Sequence, residues 1–543
     1  MKRSFLNIFI IFSLAEFSLA QHDNRYDPFD WIMYLQLGAI TSITEGFRYF
    51  YIGTEMGGVV RVQSIGQQLD DSITQTQGLK SNEISAVHFD RQTGRLWIIA
   101  GNHVHSSHSR VGDWDVESLN YWGLPNRTKI LRMGSSKYYV WVHTSSGFVK
   151  LDHISGIFLG TFPYPDEERI QWSGSSNYPD HEPNILNEYS LSDGWLSMSN
   201  MSVNPYGSNI RQSVFYEGKT GDVVVGMEDG TIFLGNNSTK FLDPIIAGIG
   251  NNDVQFILED EGVYLGGRYS QETHGLTHYE MDRDLIEIID FDNMINLSKG
   301  HYYCAVRTGH EIWFGGDGII SVYNEKESFW RTLDETRGFS GHMITDMVAD
   351  SQYVWVSSSS GLFRMDQKTK RVSDFGFEHL FDHRFIYDIE LVGDHLWIAA
   401  GYDLIIIDLE DQKILNHKTI GELGEMEGME DLLSGFKVIN NDSGNIDVST
   451  IQGVWNFNYS EGTWSELFDA SVYAGFEITD MIRWKKYFFI ATNDGFIRYD
   501  LKDRFIRDYH YDFIGHVHDM MLTKRDLWIG TSNGLIKFKW TKD

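Results

Sequence analysis

Cysteine is almost missing from this sequence, since Cys304 is the only one in 543 residues. A disulfide within the chain is therefore excluded, and the fold has to be held together by packing. The run around it, Tyr302 to Val306, is apolar. We therefore expect Cys304 to be a buried thiol rather than a nucleophile.

Basic residues are also scarce. Lys and Arg number 45 against 76 Asp and Glu, which gives a formal net charge of −31. A surface of this sign repels nucleic acid and anionic membranes, so we expect no nucleic-acid partner. The sequence also lacks a glycine-rich phosphate loop, a nucleophile elbow and a zinc signature. The commonest motifs of nucleotide, serine-hydrolase and zinc chemistry are thus absent.

Long apolar runs are confined to the first twenty residues. Met1 to Ala20 combines a basic start, an apolar run from Phe5 to Leu14 and a small-residue end. This pattern predicts a secretory signal at 1–20, cleaved before Gln21. The alternative is an uncleaved anchor helix, but the run is short for crossing a bilayer. No later stretch is long enough to span, so we expect a secreted or periplasmic protein without a membrane span after cleavage.

Proline is rare and unevenly placed. Five of the eight prolines lie between Leu151 and Arg211, where no clear strand pattern is visible. Both features favour a long insertion at about 152–210 over a degenerate repeat. A second interruption, Gly421 to Asp431, is acidic and is predicted to be a solvated loop or a short helix.

Short strand-like runs are what the chain has in abundance. The clearest unit, Gly515 to Phe538, reads as three strands separated by a charged turn and by the Asn533-Gly534 turn. Eleven such units follow one another at steps of about 39 to 50 residues, with one step of 83. A period in the forties, with room for four short strands, is typical of β-propeller blades. The central positions of the units are Tyr51, Trp97, Trp141, Val224, Tyr264, Trp313, Trp355, Trp397, Asp447, Phe489 and Trp528.

The repeat count predicts an all-β fold of two propellers in tandem, built from about 11–12 four-stranded blades. One ring commonly holds about four to eight blades, so a single large ring is the alternative. We place the first propeller at 21–250, including the insertion, and the second, of about seven blades, at 251–543. A lone strand around Trp31 to Leu35 is expected to complete the blade of Trp528, because closure removes an exposed sheet edge.

The amino-acid sequence of the units resembles the two-component-regulator propeller repeat. The first half of that pattern is visible in Gly78 to Ile84, and the second half in Trp528 to Thr531 with Asn533-Gly534-Leu535. The resemblance covers most of residues 38–538 and implies an extracytoplasmic sensor part, often for carbohydrate. No kinase or DNA-binding segment follows the last repeat, so a free-standing binding role is favoured over direct signalling.

One candidate site is a set of repeated aspartates. Four units carry an aspartate nine residues before the central position, on the strand expected to line the central channel. These carboxylates are predicted to form part of an acidic ring able to hold a cation such as calcium. The alternative is that each accepts a hydrogen bond from the backbone of a neighbouring blade. The four are Asp346, Asp388, Asp480 and Asp519.

A second candidate site is the insertion at 152–210, which is rich in aromatic and histidine side chains. Such a segment is suited to a lid or a ligand-binding loop. The alternative is a packing elaboration over one face. The candidate ligand-binding residues are Trp172, Tyr178, His181 and Trp195.

Two further patterns have plainer interpretations. His103, His105 and His108 share a polar stretch without spaced Cys or carboxylate partners, which favours a surface loop over a metal site. The repeated tryptophans occupy one position of the unit, which favours blade-to-blade core packing over sugar stacking. They are Trp97, Trp141, Trp313, Trp355, Trp397 and Trp528.

The leading functional prediction is therefore a non-catalytic propeller that binds a ligand, with carbohydrate as one candidate, or a protein partner. No catalytic residue is predicted. The alternative is a propeller-fold polysaccharide lyase or hydrolase. It would need His, Tyr, Arg or carboxylate side chains converging in one pocket, for example under the insertion.

Overall fold

A computed structural model describes residues 26–108, 112–178, 185–198, 201–338, 342–442 and 444–542. The predicted signal at 1–20 and His181 lie outside these ranges. Within them the regular elements are β-strands and short 3-10 turns, in agreement with the all-β prediction. No helix of the described residues is long and apolar enough to cross a membrane. The 3-10 turns are Pro28–Asp30, Gln75–Gln77, Leu119–Trp122, Ile185–Glu188, Glu335–Arg337, Glu378–Leu380, Gly424–Met426, Ala470–Tyr473 and Trp540–Lys542.

The described strands form eleven sheets of four or five strands, which we number in chain order, and one small sheet. Strand β1 (Trp31–Tyr34) belongs to the last sheet. Sheet 1 contains β2 (Ile40–Glu45), β3 (Tyr49–Thr54), β4 (Val59–Gln63) and β5 (Leu69–Ile73). Sheet 2 contains β6 (Ile84–Asp90), β7 (Arg95–Ala100), β8 (His103–Ser107) and β9 (Asp115–Ser118). Sheet 3 contains β10 (Ile130–Ser135), β11 (Tyr139–Thr144), β12 (Gly147–Asp152) and β13 (Phe158–Phe162).

Short strands follow before sheet 4. Strands β14 (Gln171–Trp172) and β15 (Gly174–Ser175) are added to the inner edges of sheets 3 and 1, and β16 (Ser190–Leu191) to the outer edge of sheet 4. The small sheet contains β17 (Leu196–Ser197), β18 (Ser202–Val203) and β19 (Asn209–Ile210). Sheet 4 contains β20 (Gln212–Glu217), β21 (Asp222–Met227), β22 (Ile232–Asn236) and β23 (Phe241–Ile245).

The remaining seven sheets are regular antiparallel meanders. Sheet 5 contains β24 (Phe256–Glu259), β25 (Val263–Gly266), β26 (Gly275–Glu280) and β27 (Leu285–Asp290). Sheet 6 contains β28 (Tyr302–Thr308), β29 (Glu311–Gly316), β30 (Ile320–Asn324) and β31 (Phe329–Leu333). Sheet 7 contains β32 (Ile344–Ala349), β33 (Tyr353–Ser358), β34 (Gly361–Asp366) and β35 (Arg371–Val372). Sheet 8 contains β36 (Asp388–Val392), β37 (His395–Ala400), β38 (Asp403–Asp408) and β39 (Lys413–Asn416).

The last three sheets complete the chain. Sheet 9 contains β40 (Ile439–Asp442), β41 (Asn445–Ser449), β42 (Gly453–Asn458) and β43 (Thr463–Asp469). Sheet 10 contains β44 (Ile478–Trp484), β45 (Tyr487–Thr492), β46 (Gly495–Asp500) and β47 (Phe505–Tyr509). Sheet 11 contains β48 (Val517–Leu522), β49 (Leu527–Thr531) and β50 (Gly534–Phe538), joined by β1. Each of the eleven central positions predicted from the repeat lies on the second strand of its sheet.

The first strands of sheets 5 to 11 contact one another in a closed cycle. Each packs against the first strand of the next sheet, and β48 of sheet 11 packs against β24 of sheet 5. In sheets 1 to 4 the first strands contact one another in the order β20, β2, β6 and β10. The segment of β14 and β15 lies beside them, because β14 pairs with β10 and β15 pairs with β2.

The core lies between neighbouring sheets. Trp528 of sheet 11, for example, packs with Val263, Leu265 and Tyr279 of sheet 5. Similar apolar clusters join every neighbouring pair among sheets 5 to 11. All six repeated tryptophans are buried, so the prediction that they form core is confirmed. Cys304 is buried as expected.

The first strand closes the last sheet. Strand β1 runs antiparallel to β50, with Trp31 opposite Phe538 and Tyr34 opposite Leu535. The rings of Trp31 and Phe538 stack with centroids 4.1 Å apart. The predicted closure of the Trp528 unit by Trp31 to Leu35 is confirmed. Sheets 1 to 4 therefore lie, in sequence, between two parts of the cycle formed by sheets 5 to 11.

Two predictions about local structure are wrong. The insertion was expected to lack strands from 152 onward, but β13 pairs with β12 as the outer strand of sheet 3. Its side chains alternate between half-buried and exposed, so an edge strand of this kind has no continuous apolar run. His103 to Ser107 form strand β8 rather than a surface loop. His105 is buried there and its Nε2 accepts a hydrogen bond from the Lys80 amide at 3.1 Å.

Truncating Trp31 tests the closure. Trp31→Ala removes a buried aromatic ring from the cluster shared by sheets 10 and 11, and such changes cost about 3–5 kcal/mol. We expect a loss of this size in the unfolding free energy of the transition that includes sheet 11, measured by denaturant titration. Phe29→Ala is the matched control, because Phe29 is 61% exposed two residues earlier. Equal effects of the two changes would contradict closure by β1.

Candidate functional site

The inner strands of sheets 5 to 11 surround a central cavity of about 210 Å³. All four predicted aspartates line it, so the structure brings Asp346, Asp388, Asp480 and Asp519 together. In three of the four strands a β-bulge precedes the aspartate, and a bulge re-aims the side chain that follows it. The other three sheets place Phe256, Cys304 and Val438 at the wall of the same cavity.

Each aspartate is tied to the backbone of the next sheet. One carboxylate oxygen accepts a hydrogen bond from an amide of that sheet in every case, which is the alternative weighed from the sequence. The donors and distances are Ile389 to Asp346 (3.3 Å), Ile439 to Asp388 (2.6 Å), Met520 to Asp480 (2.7 Å) and Ile257 to Asp519 (2.6 Å).

A threonine precedes two of the four aspartates, Asp346 and Asp480, and adds a second tie between sheets. Its hydroxyl donates to a carbonyl oxygen of the next sheet, so a Thr-Asp pair satisfies one acceptor and one donor of its neighbour. The pattern was visible as a repeated dipeptide, but its role was not inferred from the sequence. The ties, each at 2.7 Å, join Thr345 to Ile386 and Thr479 to Val517. In sheet 1 Thr41, which is followed by Ser42 and not by an aspartate, makes the same tie to Ile84 at 2.7 Å.

Burial dominates the electrostatics of this cavity. It raises the pKa of all four carboxyls, because an ionised group loses solvation there. The pKa of Asp480 rises to about 6. Burial and the nearby Asp346 carboxylate raise the pKa of Asp388 well above its usual range, and the two side chains share a hydrogen bond. Burial therefore favours a shared proton on this pair of carboxyls.

The described residues contain no group of three or more His, Cys, Asp or Glu side chains placed to hold a metal ion. The four aspartates are spread around the cavity and their oxygens bind backbone amides. The arrangement supports a structural role directly, and calcium binding stays a prediction.

The predicted insertion residues fall in two separate places. Trp172 and Tyr178 lie at the centre of sheets 1 to 4 and enclose the guanidinium of Arg132, whose Cζ is 4.4 Å and 3.5 Å from the two ring centroids. The His143 ring is 5.4 Å from that of Tyr178. Arg132 stands nine residues before Trp141, at the spacing of the aspartates, and that signal was missed. Here the insertion packs across the centre of the sheets.

Trp195 lies elsewhere, against the outer part of sheet 4. Its ring meets that of Phe233 edge-on with centroids 5.1 Å apart, and it is buried with Leu186 and Val223. Trp195 also forms part of the wall of a larger cavity. Of the four predicted ligand residues, two are thus together, one is apart, and His181 lies outside the described residues.

That larger cavity, which we call the junction cavity, has a volume of about 920 Å³. It lies between sheet 4, sheet 5 and the small sheet. Apolar walls come from Pro205, Tyr206, Ile246, Leu285 and Ile288. Ser208 joins the small sheet to the segment after sheet 5. Its hydroxyl lies 3.1 Å from Oδ1 and 3.0 Å from Nδ2 of the Asn293 side chain. No single repeat contains this site, so the sequence pattern did not reveal it.

Polar groups in the junction cavity are mostly acceptors. They include the carboxylates of Asp229, Glu287 and Asp290, while the side-chain amides of Gln68 and Asn204, His274 and Arg283 can donate. Burial raises the pKa of Asp229, whose carboxylate accepts from the Thr231 amide at 3.0 Å and hydroxyl at 3.1 Å. Burial, followed by the charges of Glu287 and Asp290, raises the pKa of the Tyr206 phenol. The cavity can therefore accept hydrogen bonds beside apolar surface.

The raised pKa of Asp480 predicts a pH-dependent stability. The folded state binds this proton more tightly than the unfolded chain, whose aspartate pKa is about 3.9. The contribution is complete below that value and is lost as the pH rises through about 6. From about pH 7.5 to 4.5 we expect wild type to gain about 1–3 kcal/mol of unfolding free energy relative to Asp480→Asn.

Denaturant titrations at several pH values measure this difference. Glu327→Gln, an exposed carboxyl on a turn of sheet 6, should leave the wild-type pH dependence unchanged. If the unfolding free energies of wild type and Asp480→Asn change with pH in parallel, this carboxyl does not bind the proton as described.

The calcium prediction has its own test. Calcium needs ionised carboxylates, so at about pH 7.5 it should raise the melting temperature of wild type and not that of Asp480→Asn. Magnesium is the control ion, since it demands a tighter octahedral shell. An unchanged melting temperature of wild type in calcium would reject the acidic ring as a cation site.

Comparison with known proteins finds similarity in structure alone. No protein-family model matches the chain, and no curated protein matches it. The extracellular domain of BT4673 from B. thetaiotaomicron, described as a one-component system, is 13% identical with a TM-score of 0.43, covering 94% of this chain and 82% of that one. The extracellular domain of the hybrid two-component system BT3049 from the same organism is 16% identical with a TM-score of 0.43, covering 91% and 73%.

A third similar structure is PorZ, a surface component of the type-IX secretion system of Porphyromonas gingivalis. It is 12% identical with a TM-score of 0.36, and the match covers 94% of this chain and 87% of PorZ. Extracellular domains of a one-component system and of a hybrid two-component system are thus among the structures to which this chain is similar.

Proposed function

We propose that this chain is a non-catalytic, extracytoplasmic β-propeller protein that binds a ligand in the junction cavity. The observation that carries the proposal is the cavity itself, about 920 Å³ and walled in part by the insertion. Ligand sites are concave, largely apolar and lined by a few polar groups, and they occur preferentially between domains. The predicted signal segment supports a secreted or periplasmic location.

Two propellers in tandem are part of the proposal. The cyclic contacts of sheets 5 to 11 support a seven-bladed ring formed by 251–543. Sheets 1 to 4, with β14 and β15 across their centre, would form the smaller unit, with the insertion following β13. The first unit then begins after β1 rather than at residue 21, because β1 pairs with β50. The junction cavity would lie between the two units.

A neutral carbohydrate is the ligand class that the cavity fits best. Tyr206 and Pro205 offer flat apolar surface, while amide and carboxylate oxygens beside them can accept hydrogen bonds from sugar hydroxyls. The excess of carboxylates, Asp229, Glu287 and Asp290 among them, disfavours uronic acids and sulfated sugars. A protein partner is the alternative.

A panel of neutral and anionic oligosaccharides tests the proposal, with binding measured by calorimetry and product release by chromatography. We expect binding of a neutral glycan, weakened about tenfold by Tyr206→Ala, which corresponds to about 1.4 kcal/mol. Tyr164→Ala is the control, since Tyr164 is 79% exposed and outside the cavity.

Each contrary outcome has a definite meaning. Product release from any glycan would reject the non-catalytic assignment in favour of a lyase or hydrolase. Binding unaffected by Tyr206→Ala would reject the junction cavity as the site. Failure to bind any glycan would reject carbohydrate and favour a protein partner.

A further inference from the structure

Large apolar side chains are exposed together on sheets 8 to 10. Tyr402 is 86% exposed, Ile451 65% and Leu432 60%. Single exposed apolar residues need no explanation, but a contiguous patch on a monomer marks an interaction surface. We use the name apolar patch for Phe385, Tyr387, Tyr402, Leu432, Ile451 and Phe476, each of which is more than one-third exposed.

Chain topology places all six on one end of these sheets, which we call the entry face. Phe385 and Tyr387 immediately precede the inner strand β36, and Phe476 precedes the inner strand β44. Tyr402 and Ile451 lie in the hairpins between the second and third strands of sheets 8 and 9. In an antiparallel meander these connections lie at the same end. The entry face is also where the four aspartates stand, near the starts of their strands.

Sheets 8 and 9 bring their part of the patch together. The rings of Phe385 and Tyr387 are 4.7 Å apart. Gly401, next to Tyr402, exchanges two backbone hydrogen bonds with Phe436. These bonds hold the Tyr402 hairpin against the connection between sheets 8 and 9.

The remaining members adjoin through the next connection. Ile451 lies directly over Gly435, where an added Cβ would clash with it. The ammonium of Lys437 is 5.2 Å from the Tyr387 ring and is paired with Glu477, which follows Phe476. Members of the apolar patch therefore lie on neighbouring connections of three adjacent sheets, with the Lys437–Glu477 pair between Tyr387 and Phe476.

Acidic side chains surround the apolar patch. Basic residues on these connections are already paired, Arg384 with Asp403 at 2.7 Å, Lys418 with Asp431 and Lys437 with Glu477. The segment Gly421 to Asp431, predicted to be solvated and acidic, follows sheet 8 and contains one 3-10 turn. Its first residues run along the outer strand β43 of sheet 9, and its end returns to the entry face, where Asp431 pairs with Lys418. Further carboxylates stand on the connections at the entry face at Asp382, Glu430, Asp494 and Asp512.

We infer that the apolar patch is a docking surface for a partner protein segment that carries lysine or arginine beside aromatic or aliphatic residues. The apolar side chains provide the buried contact, and the surrounding carboxylates favour a cationic segment. The same charges oppose an anionic membrane or a second copy of this acidic chain. The surface lies on sheets 8 to 10, away from the junction cavity at sheets 4 and 5, so it goes beyond the proposed ligand site.

Peptide selection on the whole protein tests the inference. A random peptide library on phage is selected against wild type and, in parallel, against the patch variant Tyr402→Ser/Leu432→Ser/Ile451→Ser. All three side chains are mostly exposed, so the variant keeps its core. The control variant is Phe329→Ser/Phe505→Ser, which removes two exposed rings at the first residue of outer strands on the opposite end of sheets 6 and 10.

We expect selection on wild type to enrich peptides that combine basic with apolar residues. Synthetic copies should bind the control variant as they bind wild type and bind the patch variant at least about tenfold more weakly. Their affinity should fall between about 0.15 M and 0.5 M salt, because part of the attraction is between exposed charges.

Four results would overturn the inference. They are no enrichment on wild type over the patch variant, enrichment of acidic or uncharged peptides, equal affinity of the selected peptides for wild type and the patch variant, and dimerisation of wild type that the patch variant abolishes. The last result would assign the patch to a second copy of this chain.

Discussion

The structure depends on burial of both faces of every sheet in the cycle. A single four-stranded sheet of this chain has apolar residues on both sides, and neither side can face water at low cost. Trp528 illustrates the constraint, since it lies in the cluster that sheet 11 shares with sheet 5. The opposite face of sheet 11 packs Ile529 and Leu527 against Phe489 of sheet 10. A sheet at the end of an open row would lack one of these partners.

Closure of the cycle explains the position of the chain's first strand. Strand β1 supplies the outer edge of sheet 11, and Trp31 brings several aromatic contacts to the cluster between sheets 10 and 11. The chain then forms sheets 1 to 4 before it returns to sheet 5. The four sheets are therefore held at both ends by the cycle, at Leu35, whose carbonyl binds the Ile249 amide, and at the start of sheet 5. This double connection fixes the neighbourhood in which the junction cavity forms.

Burial between sheets also requires polar groups there to find partners within the protein. Asp447 replaces the aromatic residue expected at the centre of sheet 9 and is fully buried. Its carboxylate is met by Asn456 at 2.7 Å and by Arg483 of sheet 10 at 3.3 Å. Burial nevertheless raises its pKa to about 6. A buried pair of this kind adds little net stability, but losing one partner would leave a charge uncompensated and would destabilise the contact between sheets 9 and 10.

The structural features that could be predicted from the sequence are those that recur from unit to unit. The eleven units are visible because the second strand of each sheet is buried on both faces, and nine of these strands read as an apolar run around one aromatic position. The closing strand was found because Trp31 to Leu35 had no unit of its own. The His103 strand and β13 were missed, since a polar buried strand and a half-exposed edge strand carry no such run. The four aspartates were grouped correctly by spacing, but the amides that bind them come from other repeats.

The junction cavity and the apolar patch lie where the units differ from one another. This follows from the burial of both faces of each sheet. A strand with both faces buried has no side chain left for a ligand, so binding groups have to come from strand ends, hairpins and insertions. The junction cavity takes Tyr206 from the insertion and Leu285 from an outer strand. The apolar patch takes Tyr402 and Ile451 from hairpins that hold polar residues such as Ser360 and Asn493 in other sheets. The junction cavity and the apolar patch of this chain therefore both lie at departures from the repeat.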